Sequence, residues 1–172
     1  MSVSANWLSA EDWKWVQDTM PIPCVDVLPV QVDQTGLIVK VGMIFRDTPH
    51  QGKRWCMVGG RMWRNESLAE AATRQLRETL GTGIQFQLKP QAQPHYIAQY
   101  FTSTRDVGYL DPRQHAVTMV FVVPIQGEIT PGGEASGFEW FDLDKIPDGT
   151  RSGFRQDEVA RECLKRVAVL GL

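Results

Sequence analysis

Between Gly59 and Gly81 the chain concentrates residue types that handle phosphate and metal ions: Gly59 and Gly60, then Arg61, Glu66, Glu70, Arg74, Arg77 and Glu78. A glycine turn that runs into a helix offers backbone N–H groups and the positive end of the helix dipole to an anion, while helical carboxylates can hold a cation. The missing Cβ atoms let a phosphate approach closely. Arg61 directly follows the glycines, and a guanidinium fork recognises diphosphate bidentately. These are the parts of a metal-phosphate site. On a helix, Ala71, Gln75, Glu78 and Thr79 share one arc beside the apolar stripe, facing the edge of a sheet, and Glu66, Glu70, Arg74 and Arg77 lie further round. Arg74 is expected chiefly as a structural partner of Glu66 or Glu70, the i−4 pair contributing about 0.2–0.5 kcal/mol.

Other elements must position these groups. Ser9 with Glu11 and Asp12 reads as a helix start, Trp13, Val16 and Met20 recur at helical spacing, and Pro21 stops the helix. Residues 24–33 and 37–45 are apolar, β-branched runs around the turn signal Asp33-Gln-Thr-Gly36, which predicts a hairpin. A polar loop is expected over 47–53, then a short apolar stretch, Trp55 to Val58. From Glu66 to Leu80 there is no Gly or Pro, and Leu68, Ala72, Leu76 and Leu80 make an i, i+4 stripe that ends at Gly81. Strands are predicted over 84–88, 95–102, 115–125 and 138–141, the third buried on both faces, with a last helix from about Arg155 that buries Val159, Cys163 and Val167. This order implies one α/β domain over residues 1–172, a mixed central sheet flanked by helices.

Composition narrows the function. Eighteen Lys plus Arg against twenty Asp plus Glu give a net charge of −2, which favours neither nucleic acid nor an anionic membrane. No apolar run approaches the roughly 20 residues of a membrane helix, and the N-terminus lacks the order of a secretory signal. Cys24, Cys56 and Cys163 have neither zinc-site spacing nor the even count of a disulfide framework. A cytoplasmic protein with buried, unpaired cysteines is the expectation.

The spacing from Gly60 to Thr82 resembles the Nudix box, G-x5-E-x7-R-E-U-x-E-E-x-G-U, where U is a bulky aliphatic. Gly60, Glu66, Arg74, Leu76, Glu78 and Gly81 stand in register, and Gln75, Thr79 and Thr82 depart from it. The resemblance implies the Nudix fold, an α/β/α sandwich around a mixed sheet, here with an added N-terminal helical extension (1–21) and the box over 59–82. Within that superfamily the chain is similar to the GDP-mannose mannosyl hydrolase group, whose box is also depleted, whose domain follows an added helix, and whose substrate is split between carbon and oxygen.

The likeness to that group implies roles for residues outside the box. Asp26, in Pro21-Ile-Pro-Cys-Val-Asp, matches a metal-holding aspartate; Arg46, Trp55 and Arg61 match residues around the substrate; His115 matches a histidine at the start of a strand. That group's histidine base appears here as Ala135, and Glu134 matches the loop from which many Nudix hydrolases aim a glutamate at the metal or the attacking water. The implied metal set is Asp26, Glu78 and Glu134 with Gln75; the implied catalytic residues are Glu134, Glu78, Arg61 and His115; the implied substrate contacts are Arg46, Arg61, Gly59, Gly60 and Trp55. With two box glutamates replaced, one Mg²⁺ (or Mn²⁺) is expected rather than a cluster. The expected activity is hydrolysis of a nucleoside diphosphate linked to a sugar or similar group. Gln75 and Thr79 motivate the alternative of a catalytically silent domain that binds such a ligand. Trp7, Trp13 and Trp15 are expected to pack the N-terminal helix, with a homodimer contact as the minority reading.

Overall fold

A strand that is apolar on both faces forms the spine of the molecule: β1 (Ile22–Val32), whose Val25, Val27, Leu28 and Val30 are fully excluded from solvent. The structure is a computed structural model that describes residues 8–170, so Trp7 lies outside the described residues. One edge of β1 is divided between two partners. Its C-terminal half pairs antiparallel with β2 (Ile38–Thr48), Val30 opposite Val41, and its N-terminal half pairs antiparallel with β4 (Val58–Arg61), Asp26 opposite Gly59. The other edge pairs in parallel with β8 (Ala116–Gly127), Asp26 opposite Val120. Such parallel pairing buries both faces of the two strands.

Beyond these, β3 (Gly52–Cys56) and β9 (Ala135–Asp142) lie along β2, while β5 (Ile84–Phe86) and β6 (Tyr96–Phe101) lie along β8, and β7 (Tyr109–Leu110) extends β6. Helix α2 (Leu68–Leu80) packs on β1 and β4, and α3 (Gln156–Leu170) packs on β6 and β8 with Val159, Cys163 and Val167 buried. The mixed sheet and its helices are the α/β architecture expected. Helix α1 (Ala10–Thr19) is capped by Ser9, whose side chain accepts from Asp12 N, and buries none of its residues. No helix among the described residues is long and apolar enough to cross a membrane.

Several boundaries differ from expectation for local reasons. The predicted polar loop over 47–53 shrinks to a tight turn, because Asp47 opposite Lys53 and Thr48 opposite Gly52 continue the β2–β3 ladder. Gly52 turns it with φ +69, and Thr48 Oγ1 accepts from Gln51 N. Helix α2 starts at Leu68 rather than Glu66. Ser67 and Glu70 form a reciprocal capping box, Glu70 N donating to Ser67 Oγ and Ser67 N to Glu70 Oε2. Gly59 and Gly60 are not an open turn but residues of β4, paired to β1. Trp15 is 62% exposed: two residues apart on a helix, Trp13 and Trp15 cannot face the same surface.

Candidate active site

Where β2 and β4 part along β1, the chain encloses a cavity of about 260 Å³ lined by Asp26, Arg46, Gly59, Gly60, Arg61 and Glu134. Asp26 projects from β1 beneath β4. A Cβ on Gly59 would overlap Asp26 Oδ1 and come within 2.6 Å of the Val25 carbonyl, and one on Gly60 would lie 2.8 Å from Gln75 Nε2. Gly59 is therefore needed for the close approach of β1 and its carboxylate, a stricter demand than turn geometry, whereas at Gly60 the flexible end of Gln75 can move aside. Asp26 Oδ2 accepts from Gln156 Nε2 at 3.3 Å, and Gln156 Oε1 accepts from Met57 N at 2.8 Å, so the first residue of α3 ties Asp26 to the sheet.

Arg46 and Glu134 meet across the bulged end of the β2–β9 ladder, where Arg46 stands opposite Ala135. Arg46 Nη1 donates to Glu134 Oε1 at 2.7 Å. The loop bearing Glu134 is fastened to the end of α2, Thr130 N donating to Leu80 O and Gly132 N to Thr79 O. Burial pushes the Asp26 carboxyl up to about 7; the Arg46 charge opposes this, the Glu134 charge adds to it, and the Gln156 bond opposes it. Burial also raises Glu134, against the pull of Arg46. Cys24 borders the cavity, and burial lifts its thiol to about 12, which leaves it without nucleophilic thiolate at neutral pH.

Three lining residues carry no sequence signal of their own: Tyr100 from β6, Arg113 and Gln156. Arg113 forms a double hydrogen bond with the buried Asp111, Nε to Oδ1 at 2.9 Å and Nη2 to Oδ2 at 2.7 Å. Arg46 Nε and Tyr100 Oη are buried without a hydrogen-bond partner among the described residues. A buried donor left unpaired costs free energy that an acceptor-rich ligand recovers. Three guanidinium groups, from Arg46, Arg61 and Arg113, and three carboxyl groups, from Asp26, Asp111 and Glu134, thus line one cavity together with these two unpaired atoms.

Other predicted site residues lie elsewhere. Glu78 is half-exposed and accepts from Arg74 Nη1 at 3.2 Å. Gln75 donates from Nε2 to the Arg61 carbonyl at 3.5 Å. Neither residue borders the cavity. Arg74 is the structural clamp expected, bonded to Glu66 at 2.5 and 2.9 Å and to the Arg61 carbonyl at 3.0 Å. Trp55 stands opposite Phe45 in the β2–β3 ladder and packs on Phe45 and Phe141. Strand alternation puts that face opposite to Arg46, so Trp55 is kept away from the cavity. His115 stacks on Phe101 at 4.8 Å with its Nε2 buried and unpaired, beside a different depression.

The carboxylates expected to hold a divalent cation are engaged by protein partners in this structure. Among the described residues no group of three or more His, Cys, Asp or Glu side chains is arranged to hold a metal ion. Glu134 is engaged by Arg46, Asp26 by Gln156, and Glu78 by Arg74. Of the unpaired atoms at the cavity, Arg46 Nε can only donate, whereas Tyr100 Oη can donate or accept.

Comparison with known proteins places this geometry. No curated protein matches the sequence. Among solved structures, a possible asymmetric diadenosine tetraphosphate hydrolase from Jonesia denitrificans is 25% identical, with a TM-score of 0.80 over 87% of this chain and 96% of that one. A MutT/Nudix family protein from Enterococcus faecalis is 18% identical, with a TM-score of 0.64 over 95% and 76% of the two chains. An ADP-ribose pyrophosphatase from Streptococcus suis is 17% identical, with a TM-score of 0.54 over 85% and 91%. The fold is thus that of the Nudix hydrolases. Residues 3–168 match a family described as a domain of unknown function, DUF4916, and the chain belongs to that family.

Proposed function

We propose that the protein is a Nudix-type hydrolase that acts on a nucleoside diphosphate linked to a sugar or similar group. The observation that carries this reading is the pair of buried, unpartnered donors, Arg46 Nε and Tyr100 Oη, in a cavity that Arg61 and Arg113 also line. A diphosphate supplies the acceptors that these donors lack. The cavity is smaller than the roughly 300–1,000 Å³ of sites that enclose a whole drug-sized ligand. It suits the phosphates, with the attached groups toward its mouth.

In this reading the arginines neutralise the diphosphate, and the charge they offset grows as the bond to the leaving group breaks. Glu134 takes the proton of the attacking water, whose oxygen bonds to the sugar carbon or to phosphorus while the departing electron pair settles on a diphosphate oxygen. As Arg46 donates to the ligand, its hold on Glu134 weakens and leaves that carboxylate a stronger base. Turnover of nucleotide sugars in ¹⁸O-labelled water, with and without Mg²⁺ or Mn²⁺, tests this directly. Label in the sugar marks carbon–oxygen cleavage, and label in phosphate marks attack at phosphorus. A silent binding domain is the second reading, favoured by Gln75 resting on the Arg61 carbonyl and Glu78 on Arg74. Tight binding with no turnover in any arm would select it and remove the enzyme.

A further inference from the structure

We propose that helix α1 is a ligand-recognition element, in which Trp13 stacks on the nucleobase of the diphosphate derivative that Arg46 and Arg61 hold. This rests on the diphosphate reading above and goes beyond it by assigning the group attached to the phosphates.

Helix α1 buries none of its residues fully, and only Trp13 and Val16 pack half-buried against the core. Two contacts carry it across the cavity. Trp13 lies flat under the Arg61 guanidinium, 3.9 Å from ring centroid to Cζ, and Gln17 Nε2 donates to Gln114 Oε1 at 2.9 Å. All four residues border the same cavity. Stacking occupies the face of a guanidinium, whereas anions are bound by its edge. Arg61 can therefore stay on Trp13 while it meets a phosphate, which sets the indole at a short distance from the diphosphate. Trp13 is only half-buried, so a planar heterocycle projecting from the mouth can extend the stack. Bases are taken up in this way on aromatic rings and guanidinium planes. The Gln17 and Gln114 amides beside it are of the type that reads base edges.

Isothermal titration with ADP and with inorganic pyrophosphate, on wild type, Trp13→Ala and Trp13→Phe, tests the assignment. Trp13→Ala should weaken ADP roughly tenfold and leave pyrophosphate within about twofold, while Trp13→Phe keeps most of the ADP affinity. ADP, but not pyrophosphate, should quench tryptophan emission in wild type, and Trp13→Phe should lose that quench. Equal weakening of both ligands would make Trp13 a mere support for Arg61 and overturn the proposal, as would an unchanged ADP affinity. Should Trp13→Ala fail to fold, the quench and its loss in Trp13→Phe decide. Wild type that binds neither ligand overturns the diphosphate reading and this inference together; wild type that binds both without quenching overturns this inference alone.

Discussion

Of the three carboxyl groups that line the cavity, Glu134 and Asp26 stand in different environments. Glu134 is held by Arg46 at its edge, and Asp26 is buried against Gln156 and the glycine strand. Glu134→Gln keeps the shape and an acceptor for Arg46 while removing the base. It should lower kcat about 10²-fold or more with ADP affinity nearly unchanged, and undiminished turnover would remove Glu134 from the chemistry. Asp26 has its folded value raised to about 7 from an ordinary 3.8. The unfolded chain gives up this proton first, so stability is fully present below about pH 4 and declines as pH rises through 7. Asp26→Asn should flatten that decline and raise Tm at pH 8 by about 3 °C or more. Thermal melts from pH 4 to 8 check it, and a profile parallel to wild type would show that Asp26 ionises freely.

At the scale of elements, the short β4 determines how closely α2 and β1 approach. Gly59 has no room for a side chain over Asp26 and the Val25 carbonyl, and at Gly60 the Gln75 amide would have to shift. Gly59→Ala should therefore cost about 1–3 kcal/mol through forced movement of β1 or β4. It should also displace Asp26, so urea melts and the pH profile should change together. The glycines, Ser67 and Arg74 belong to one local unit: the strand approaches, the Ser67-Glu70 box starts the helix, and Arg74 ties Glu66 and the Arg61 carbonyl to it. That unit follows from short-range spacing. The two ends of α2 then serve different partners, since its last carbonyls hold the loop that presents Glu134.

Across the whole molecule, a net charge of −2 gives little long-range attraction for a polyanion, yet Arg46, Arg61 and Arg113 converge on one cavity. In the proposed reading, binding there depends on local desolvated donors rather than on a general field. Inorganic pyrophosphate at about 100 times its Kd should add roughly 2.7 kcal/mol of stability. Because the donors are protein N–H and O–H groups, the shift in Tm should persist in EDTA. Differential scanning fluorimetry reads this, and a shift abolished by chelation would show that the anion needs a cation to be held.

The residues alone determined the box helix, its Gly81 stop, Arg74 as a structural clamp on Glu66 or Glu70 and most strand positions, because helical period, alternation and caps act over a few neighbours. They also brought Arg61 to notice through its place after the glycines, and Asp26, Arg46 and Glu134 through resemblance. The tertiary structure alone decided which of these meet. Arg46 and Glu134 are 88 residues apart and Asp26 and Gln156 are 130 apart, and such pairs depend on strand register and helix docking, which no local pattern encodes. The same global choices turned Trp55 to the far face, put Tyr100 and Arg113 beside the cavity, and laid Trp13 on Arg61.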